Sequence, residues 1–209
     1  MALRAVVFDY GMVLTGKQDP GAHAAMLRIT GLANDRFEAM YWADRDAFDA
    51  GRLGGRAFWE KLVSEAGKHP HPAMIDDLVN LDVRMWTTEN PEMFAWQMKL
   101  KQRGLKTAIV SNMGDTIHQY MERELPWLSR FDVLVWSYQL RITKPDRAIY
   151  EYVLEKLGTR ADETLFVDDR KVNVDAAVAM GMKGVVFTNV ERLRAELKAK
   201  GLDREIPLP

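Results

Sequence analysis

The sequence predicts an α/β fold, with a Rossmann-like, doubly wound parallel sheet and an α-helical cap inserted after the first strand. Short apolar runs rich in β-branched residues recur along the 209 residues, and segments with helical spacing separate the later runs. A long stretch without a strand-like run follows the first of them. A chain of this length suffices for one domain, or for one domain with an insertion.

Five apolar runs are the predicted strands. Each is short and almost continuously hydrophobic, which is typical of strands buried on both faces of a parallel sheet. They are Ala5–Phe8, Thr107–Val110, Val133–Val135, Thr164–Val167 and Gly184–Phe187.

Helical periodicity accounts for most of the chain between and after the later runs. Apolar residues repeat along one face of each such segment, and a glycine, a common stop signal, follows it. The predicted helices are Pro91–Arg103, Asp146–Leu157, Val172–Met180 and Glu191–Lys200, and Asp203–Pro209 is expected to be an extended end.

The stretch between the first two runs has only helical spacing. It predicts helices over Ala22–Ile29, Asp35–Asp49, Gly55–Glu65 and Ala73–Met85. We therefore predict a core domain of residues 1–15 and 89–209 and a cap of residues 16–88. Most of the aromatic residues Trp42, Phe48, Phe58 and Trp59 should form the core of the cap. An insertion at this point would lie over the carboxyl edge of the sheet, where α/β proteins bind ligands.

The charge and cysteine content exclude several classes of function. The 29 basic and 30 acidic residues nearly cancel, so bulk electrostatics favours neither nucleic acid nor a membrane as a partner. Without cysteine, the chain has no disulfide, no thiolate zinc site and no thiol nucleophile. No run is long enough to span a bilayer, and the first residues do not resemble a signal peptide. We expect a cytoplasmic protein that acts on a small molecule; the oligomeric state is not predicted.

Polar residues cluster where the predicted strands end. Each has an ordinary structural explanation as a turn or helix cap when taken alone. Because the carboxyl ends of parallel strands share one edge of a sheet, we expect them to converge. They are Asp9 after the first run, Ser111 and Asn112 after the second, Lys144 after the third, and Asp168 and Asp169 after the fourth.

Three carboxylates at one edge would repel one another, so positive charge must compensate them. Lys144 supplies one charge, and a divalent cation with oxygen ligands, most simply Mg²⁺, supplies the rest. Lysine and metal would form a cradle for a phosphoryl group, with the Ser111 hydroxyl donating to one of its oxygens. Asp9 is then the expected nucleophile, since Gly11 would let the following backbone turn sharply towards the metal.

The order and spacing of four motifs resemble the haloacid dehalogenase superfamily. The motifs are Phe8–Leu14 (FDYGMVL), Val110–Asn112 (VSN), Thr143–Asp146 (TKPD) and Phe166–Asn173 (FVDDRKVN). The resemblance covers essentially the whole chain, including a helical cap. It is nearest to small phosphatases related to the amino-terminal domain of soluble epoxide hydrolases and to sugar-phosphate phosphatases, and it implies Mg²⁺-dependent hydrolysis of a small phosphomonoester.

The resemblance also implies individual roles. Asp9 matches the nucleophile, and the phosphate-binding positions fall on Ser111, Asn112 and Lys144. The metal-binding positions fall on Asp9, the Gly11 carbonyl and Asp169, with Asp168 as a second or water-mediated ligand. Asn173 matches a polar group that orients the metal site from outside it.

One position departs from the pattern. Phosphatases of this family usually carry a second aspartate two residues after the nucleophile, where it protonates the leaving oxygen, but this chain has Gly11. Loss of a general acid typically costs about 10²–10⁴ in rate. A cap residue such as His23, a water molecule or the substrate's own hydroxyl could compensate. Other cap residues that could face the site are Trp42, Arg45, Arg52 and Arg56, although packed tryptophans and solvated arginines are more common.

Two alternatives remain open. A 2-haloacid dehalogenase would use the same aspartate, serine-asparagine pair and lysine without a metal, but Asp168 and Asp169 would then repel its anionic substrate. A non-catalytic binding or regulatory protein could have kept the fold after losing the acid at Gly11, because a fold does not establish a function.

Overall fold

The computed structural model describes residues 2–209, and an all-parallel sheet of five strands lies at its centre. In chain order the strands are β1 (Ala5–Phe8), β2 (Lys106–Ser111), β3 (Val133–Trp136), β4 (Thr164–Asp168) and β5 (Lys183–Val186). Their spatial order is β3-β2-β1-β4-β5. The predicted fold class is confirmed, and each predicted strand lies within one or two residues of an observed one.

The strand register explains why polar residues from distant parts of the sequence meet. Phe8, at the end of β1, lies opposite Ile109 on one side and Val167 on the other. The three central strands therefore end at nearly the same level. Asp9, Ser111 and Asp168 follow or close these strands at the same sheet edge.

Helices cover both faces of the sheet. Val6 and Phe8 of β1 face one hydrophobic cluster, while Ala5 and Val7 face another, as expected for a strand buried on both sides. The first cluster includes residues of α6 (Pro91–Gln102), α7 (Asp115–Glu124) and α11 (Val190–Ala199). The second includes residues of α9 (Arg147–Leu157) and α10 (Lys171–Ala179), and the short helix α8 (Ser137–Leu140) follows β3.

Five helices lie between β1 and α6, and we call this segment the helical insertion. They are α1 (Pro20–Thr30), α2 (Asn34–Ala43), α3 (Arg45–Asp49), α4 (Gly55–Glu65) and α5 (Pro72–Met85). The insertion has its own hydrophobic cluster, to which Phe48, Phe58 and Trp59 contribute as predicted. Trp42 was expected among them, but it is 48% exposed. The division of the chain into a core domain and a cap stays a prediction.

The two connections of the insertion to the sheet run side by side. Thr15 and Glu89 form an antiparallel bridge. The Gly16 N–H donates to the Thr88 carbonyl at 2.7 Å, and the Asn90 N–H donates to the Leu14 carbonyl at 2.8 Å. Hydrogen bonds thus join the two ends of the insertion.

Two predicted elements are wrong in part. Asp35–Asp49 is not one helix, because Asp44 leaves helical geometry (φ −106°, ψ 6°) and divides α2 from α3. The end of the chain is not simply extended: Leu202–Arg204 forms a short 3₁₀ turn, and Ile206 is buried. Burial of these apolar side chains, together with a bond from the Trp96 indole to the Pro207 carbonyl (2.7 Å), holds the end against the sheet layer. The sequence analysis also missed α7 and α8.

In the part of the chain that the structure describes, residues 2–209, no helix combines the length and apolar character needed to cross a bilayer.

Candidate active site

A tight turn directly after β1 fixes the position of Asp9. The Asp9 N–H donates to the Val167 carbonyl of β4 at 2.8 Å, and its Oδ1 accepts from the Tyr10 N–H at 2.7 Å. The Thr15 N–H closes the turn by donating to the Tyr10 carbonyl at 3.0 Å. The left-handed residue in this turn is Met12 (φ 61°), whereas Gly11 has an ordinary φ of −62°. The expected need for glycine at position 11 to form the turn is therefore wrong.

Lys144 lies between two of the predicted carboxylates. Its Nζ is 2.7 Å from Asp9 Oδ1 and 2.7 Å from Asp168 Oδ2. Burial alone would lower its pKa, but the carboxylates of Asp9 and Asp168 outweigh this effect and raise the pKa. Lys144 is therefore charged at neutral pH.

Asn112 holds the backbone on which Lys144 stands. Its Oδ1 accepts from the Lys144 N–H at 2.8 Å, and its Nδ2 donates to the Lys144 carbonyl at 2.9 Å. The amide side chain that was predicted to bind phosphate is thus already engaged at both ends. In this structure it connects the end of β2 to the loop that carries Lys144.

Asp168 is buried beneath the site and held from several sides. The Asn173 Nδ2 donates to both of its oxygens at 3.0 and 3.1 Å, and the Arg170 N–H donates to Oδ1 at 2.8 Å. Asn173 is thus bonded to a carboxylate of the predicted metal site, and its orienting role there stays a prediction. Its own Oδ1 is buried without a hydrogen-bond partner among the described residues.

Asp9, Asp168 and Asp169 form a compact acidic group. One oxygen from each lies within 4.8 Å of the others, a spacing suited to a shared metal ion. Burial raises the pKa of Asp9 to about 7; Lys144 opposes the shift and Asp168 adds to it. Burial, and then the charge of Asp168, raises the pKa of Asp169. Three carboxylates next to one ammonium thus leave a local excess of negative charge.

These residues lie at the floor of an open cleft. Floor residues that were predicted are Asp9, Gly11, Ser111, Asn112, Lys144, Asp169 and Asn173, while Asp168 lies just below them. The lining residues that were not predicted are Tyr10, Met12, Asp49, Trp86, Met113, Ile117 and Arg170. Trp42 and Arg45 also line the cleft, as considered from the sequence, but Arg52 and Arg56 do not belong to the lining.

Arg45 is buried in the wall formed by the insertion, contrary to the usual solvated state of arginine. Its Nε is 3.1 Å from Asp49 Oδ1, and its Nη1 is 3.4 Å from Asp82 Oδ2. The guanidinium also lies over the rings of Tyr41 (5.0 Å) and Phe48 (4.8 Å). Burial raises the pKa of Asp49, although Arg45 partly offsets the shift. No short sequence motif marks this network, because its members are brought together only by helix packing.

His23 does not occupy the position of the missing acid. Its Nε2 is 2.7 Å from Glu38 Oε1, and its ring meets Phe37 edge-on at 5.4 Å. At position 11, a hypothetical Cβ would lie 3.7 Å from the Trp86 ring, an ordinary van der Waals contact. The place of the usual second aspartate is thus next to an indole.

Comparisons with known proteins agree with this geometry. The family model of haloacid dehalogenase-like hydrolases matches residues 3–181. Mouse bifunctional epoxide hydrolase 2 is 32% identical over the whole chain and 41% of its own length. Phosphatase MT3486 of Mycobacterium tuberculosis is 28% identical over 88% of this chain and 86% of its own. The chain spans less than half the length of the first two curated relatives it matches, 46% and 41%.

A solved structure shares the fold. The HAD family enzyme bt-2542 of Bacteroides thetaiotaomicron, crystallised with magnesium and inorganic phosphate, superposes with a TM-score of 0.74 at 17% identity, covering 91% of this chain and 98% of that one. The motifs, the topology and the family match together show that the chain belongs to the haloacid dehalogenase-like hydrolases.

Proposed function

We propose that the protein is a Mg²⁺-dependent phosphomonoester hydrolase that acts through an aspartyl-phosphate on Asp9. The observation that carries the proposal is the group of Asp9, Asp168 and Asp169 around Lys144 at the sheet edge. A relative named a phosphatase and a fold neighbour that holds magnesium and phosphate support it. The proposed substrate is a small phosphorylated metabolite, with sugar phosphates among the candidates.

The residues present fit a magnesium ion. Mg²⁺ prefers oxygen ligands, and one carboxylate oxygen from each of Asp9, Asp168 and Asp169 lies in a common space of 4.8 Å. Asp9, Asp169 and the Gly11 carbonyl would hold the ion, with Asp168 directly or through water. The ion, when bound, would offset the carboxylate charge and polarise the phosphoryl oxygens.

The side chains of Asp9, Lys144 and Ser111 would have separate roles in the reaction. Both bonds to Asp9 reach Oδ1, from Tyr10 and Lys144, which leaves Oδ2 to attack phosphorus. Lys144 uses two of its three N–H donors on Asp9 and Asp168, so the third can bind a phosphoryl oxygen. The Ser111 hydroxyl, at the end of β2, would donate to another.

The reaction would take two steps. Asp9 forms a bond to phosphorus as the bond between phosphorus and the leaving oxygen breaks, and the leaving group takes the electron pair. Water then attacks the phosphorus of the aspartyl-phosphate, which regenerates the carboxylate and releases inorganic phosphate. Because Gly11 cannot donate a proton, the first step should favour leaving groups that bear negative charge well. We further propose that the helical insertion acts as a cap that excludes bulk water from the second step.

The test is hydrolysis of p-nitrophenyl phosphate by the purified protein with Mg²⁺, with a chelator, and with Asp9→Asn. We expect activity to need the metal and the variant to lose about 10⁴-fold or more in kcat, as nucleophile removal commonly does. Asp175→Asn, an exposed carboxylate paired with Lys171 on α10, is the matched control and should behave like the parent. Equal activity of Asp9→Asn and the parent would refute the proposal.

The alternative functions have their own signatures. Chloride release from 2-chloropropionate in the presence of a chelator would identify a dehalogenase. Binding of Mg²⁺ and phosphate without turnover of any ester would identify a binding or regulatory protein.

A further inference from the structure

An apolar band surrounds the cleft above the phosphate-binding floor. Trp42 and Trp86 come from the insertion, Met12 from the turn after β1, and Met113 and Ile117 from the segment after β2. Two separate parts of the fold thus supply it from opposite sides. A substrate whose phosphate reaches Asp9 must place its leaving group along this band.

Trp42 is exposed, and contacts with neighbouring side chains fix its position. Trp42 is 48% exposed, and clefts that bind small molecules are lined mainly by hydrophobic and aromatic side chains. Its Nε1 donates to Glu38 Oε2 at 2.8 Å, and its ring meets Trp86 edge-on at 6.4 Å. The Trp86 Nε1 in turn donates to the Tyr41 hydroxyl at 3.2 Å. Since both N–H groups have partners, the two indoles offer a substrate mainly carbon surface.

The charged groups in the same wall form an ion-pair network, although Asp49 Oδ1 accepts no hydrogen bond from the described residues. Among the described residues 2–209, Arg45 and Asp49 are the charged side chains that the insertion contributes to the cleft. Arg45 lies between Asp49 and the buried Asp82. One guanidinium shared by two carboxylates leaves the insertion with no excess positive charge for a second anionic group on the substrate, and with little free donor capacity for a row of hydroxyls. The other arginine of the lining, Arg170, follows β4 beside Asp169 and does not belong to this wall.

We propose that the physiological substrate is the phosphate monoester of an apolar alcohol or phenol, whose hydrocarbon or aryl group packs between Trp42 and the residues after β2. This inference rests on the proposed phosphatase function and narrows its substrate class. A sugar or other polyol phosphate would bury its hydroxyls against indole and thioether surfaces, losing hydrogen bonds to water without replacing them.

The first test compares two substrate series with similar leaving-group chemistry. One is ethyl to hexyl phosphate, and the other is glycerol 3-phosphate, erythritol 4-phosphate and ribitol 5-phosphate. We expect kcat/KM to rise about two- to fourfold for each methylene until the band is filled, and to stay flat or fall along the polyols. Polyols are slightly better leaving groups, so intrinsic reactivity would produce the opposite order. A polyol series that equals or exceeds the alkyl series overturns the inference.

The second test measures binding without chemistry. Alkylphosphonates of increasing length should inhibit p-nitrophenyl phosphate hydrolysis competitively, with inhibition constants that fall about two- to fourfold per methylene. Dihydroxybutylphosphonate should bind more weakly than butylphosphonate. This arm decides the question even if alkyl phosphates turn over slowly, and equal inhibition by the two butyl compounds refutes the inference.

Variants assign the effect to Trp42. Trp42→Ala should lower kcat/KM for hexyl phosphate about tenfold more than kcat/KM for ethyl phosphate, whereas Trp42→Phe should keep most of the preference. Met98→Ala is the control: Met98 is also an exposed large apolar residue (39%), but it lies on α6 outside the cleft lining, so no change is expected. If all esters, including p-nitrophenyl phosphate, are inert, the proposed function fails; if they are hydrolysed without chain-length preference, only this inference fails.

Discussion

The sheet edge and the helical insertion face each other across the cleft, and each buries a cation among carboxylates. At the sheet edge, Lys144 is the one ammonium next to three carboxylates, of which Asp169 is only half-buried. In the insertion, Arg45 is enclosed by Asp49, Asp82 and aromatic rings. The first group has excess negative charge beside an open cleft, which suits a metal ion. The second has one guanidinium for two carboxylates and is packed among aromatic rings, which suits a structural network, although Arg45 and Asp49 also line the cleft.

Removal of Lys144 should have the largest effect of the predicted variants, and the main effect should be on activity. Lys144→Met leaves Asp9 and Asp168 without their shared ion pair, and kcat/KM for p-nitrophenyl phosphate should fall about 10³-fold or more. In a chelator the variant should also unfold at lower urea concentration than the parent, and Mg²⁺ should recover part of the difference, since the ion replaces the missing charge. Lys171→Met, which removes an exposed lysine, is the control. Full activity of Lys144→Met would contradict the assignment of this group as the catalytic centre.

Removal of Arg45 should instead mainly lower the stability of the fold. Arg45→Met leaves the fully buried Asp82 with only the Tyr41 hydroxyl as a close partner (2.7 Å), and loss of one partner of a buried pair costs about 3–5 kcal/mol in unfolding free energy. The double variant with Asp82→Asn should regain most of it, because no buried charge is then left alone. Urea denaturation measures both. If Arg45→Met unfolds like the parent but loses activity, the insertion network belongs to the catalytic machinery and the contrast fails.

The missing acid should appear as a steep dependence on the leaving group. Across aryl phosphates of graded phenol acidity, kcat/KM should change by about 10²-fold or more, since no side chain protonates the leaving oxygen. Gly11→Asp should flatten this dependence, because a Cβ at position 11 makes only an ordinary contact with Trp86. A flat dependence in the parent, with the chemical step rate-limiting, would show that another group, such as Asp49 in the wall, donates the proton.

A substitution at the contact between the two regions should have the smallest effect of the series. Gly114 lies directly against Phe48 of the insertion, where an added Cβ would come within 1.9 Å of the ring. Gly114→Ala should therefore displace the insertion and lower the unfolding free energy by about 1–3 kcal/mol. Gly16→Ala, whose Cβ would meet Thr88 at an ordinary 3.8 Å, is the matched control and should be neutral. Equal thermal stability of the two variants would show that the contact is not tightly packed.

The same contrast explains how much the sequence could predict. The floor of the site was predictable because strand ends converge by topology: once the apolar runs are recognised as parallel strands, Asp9, Ser111 and Asp168 must meet. The residues that the helical insertion contributes to the cleft were not predictable, because helix packing decides which faces of α2, α3 and α5 turn towards the cleft. Trp42 was expected in a core and Arg45 in solvent, and each lies in the opposite environment.

Local errors have equally local causes. The helical pattern from Asp35 to Asp49 continues through Asp44, so the break between α2 and α3 has no signal in the spacing. Gly11 was assigned the turn because glycine tolerates positive φ, but the π-type hydrogen bond from Thr15 to Tyr10 places Met12 there instead. The bonds of the Asn112 amide to the Lys144 backbone could not be predicted either, since only the folded loop shows them; phosphate binding by Asn112 stays a prediction.

The paired connections of the insertion carry a mechanical consequence. The short ladder formed by Leu14, Thr15 and Gly16 with Thr88, Glu89 and Asn90 begins only a few residues beyond Asp9. A rigid-body movement of the five helices would rotate about this ladder. The same backbone continues into the turn after β1 that positions Asp9. If the insertion acts as the proposed cap, its movement would pass through the backbone that positions Asp9, and closure would be coupled to the orientation of the attacking oxygen.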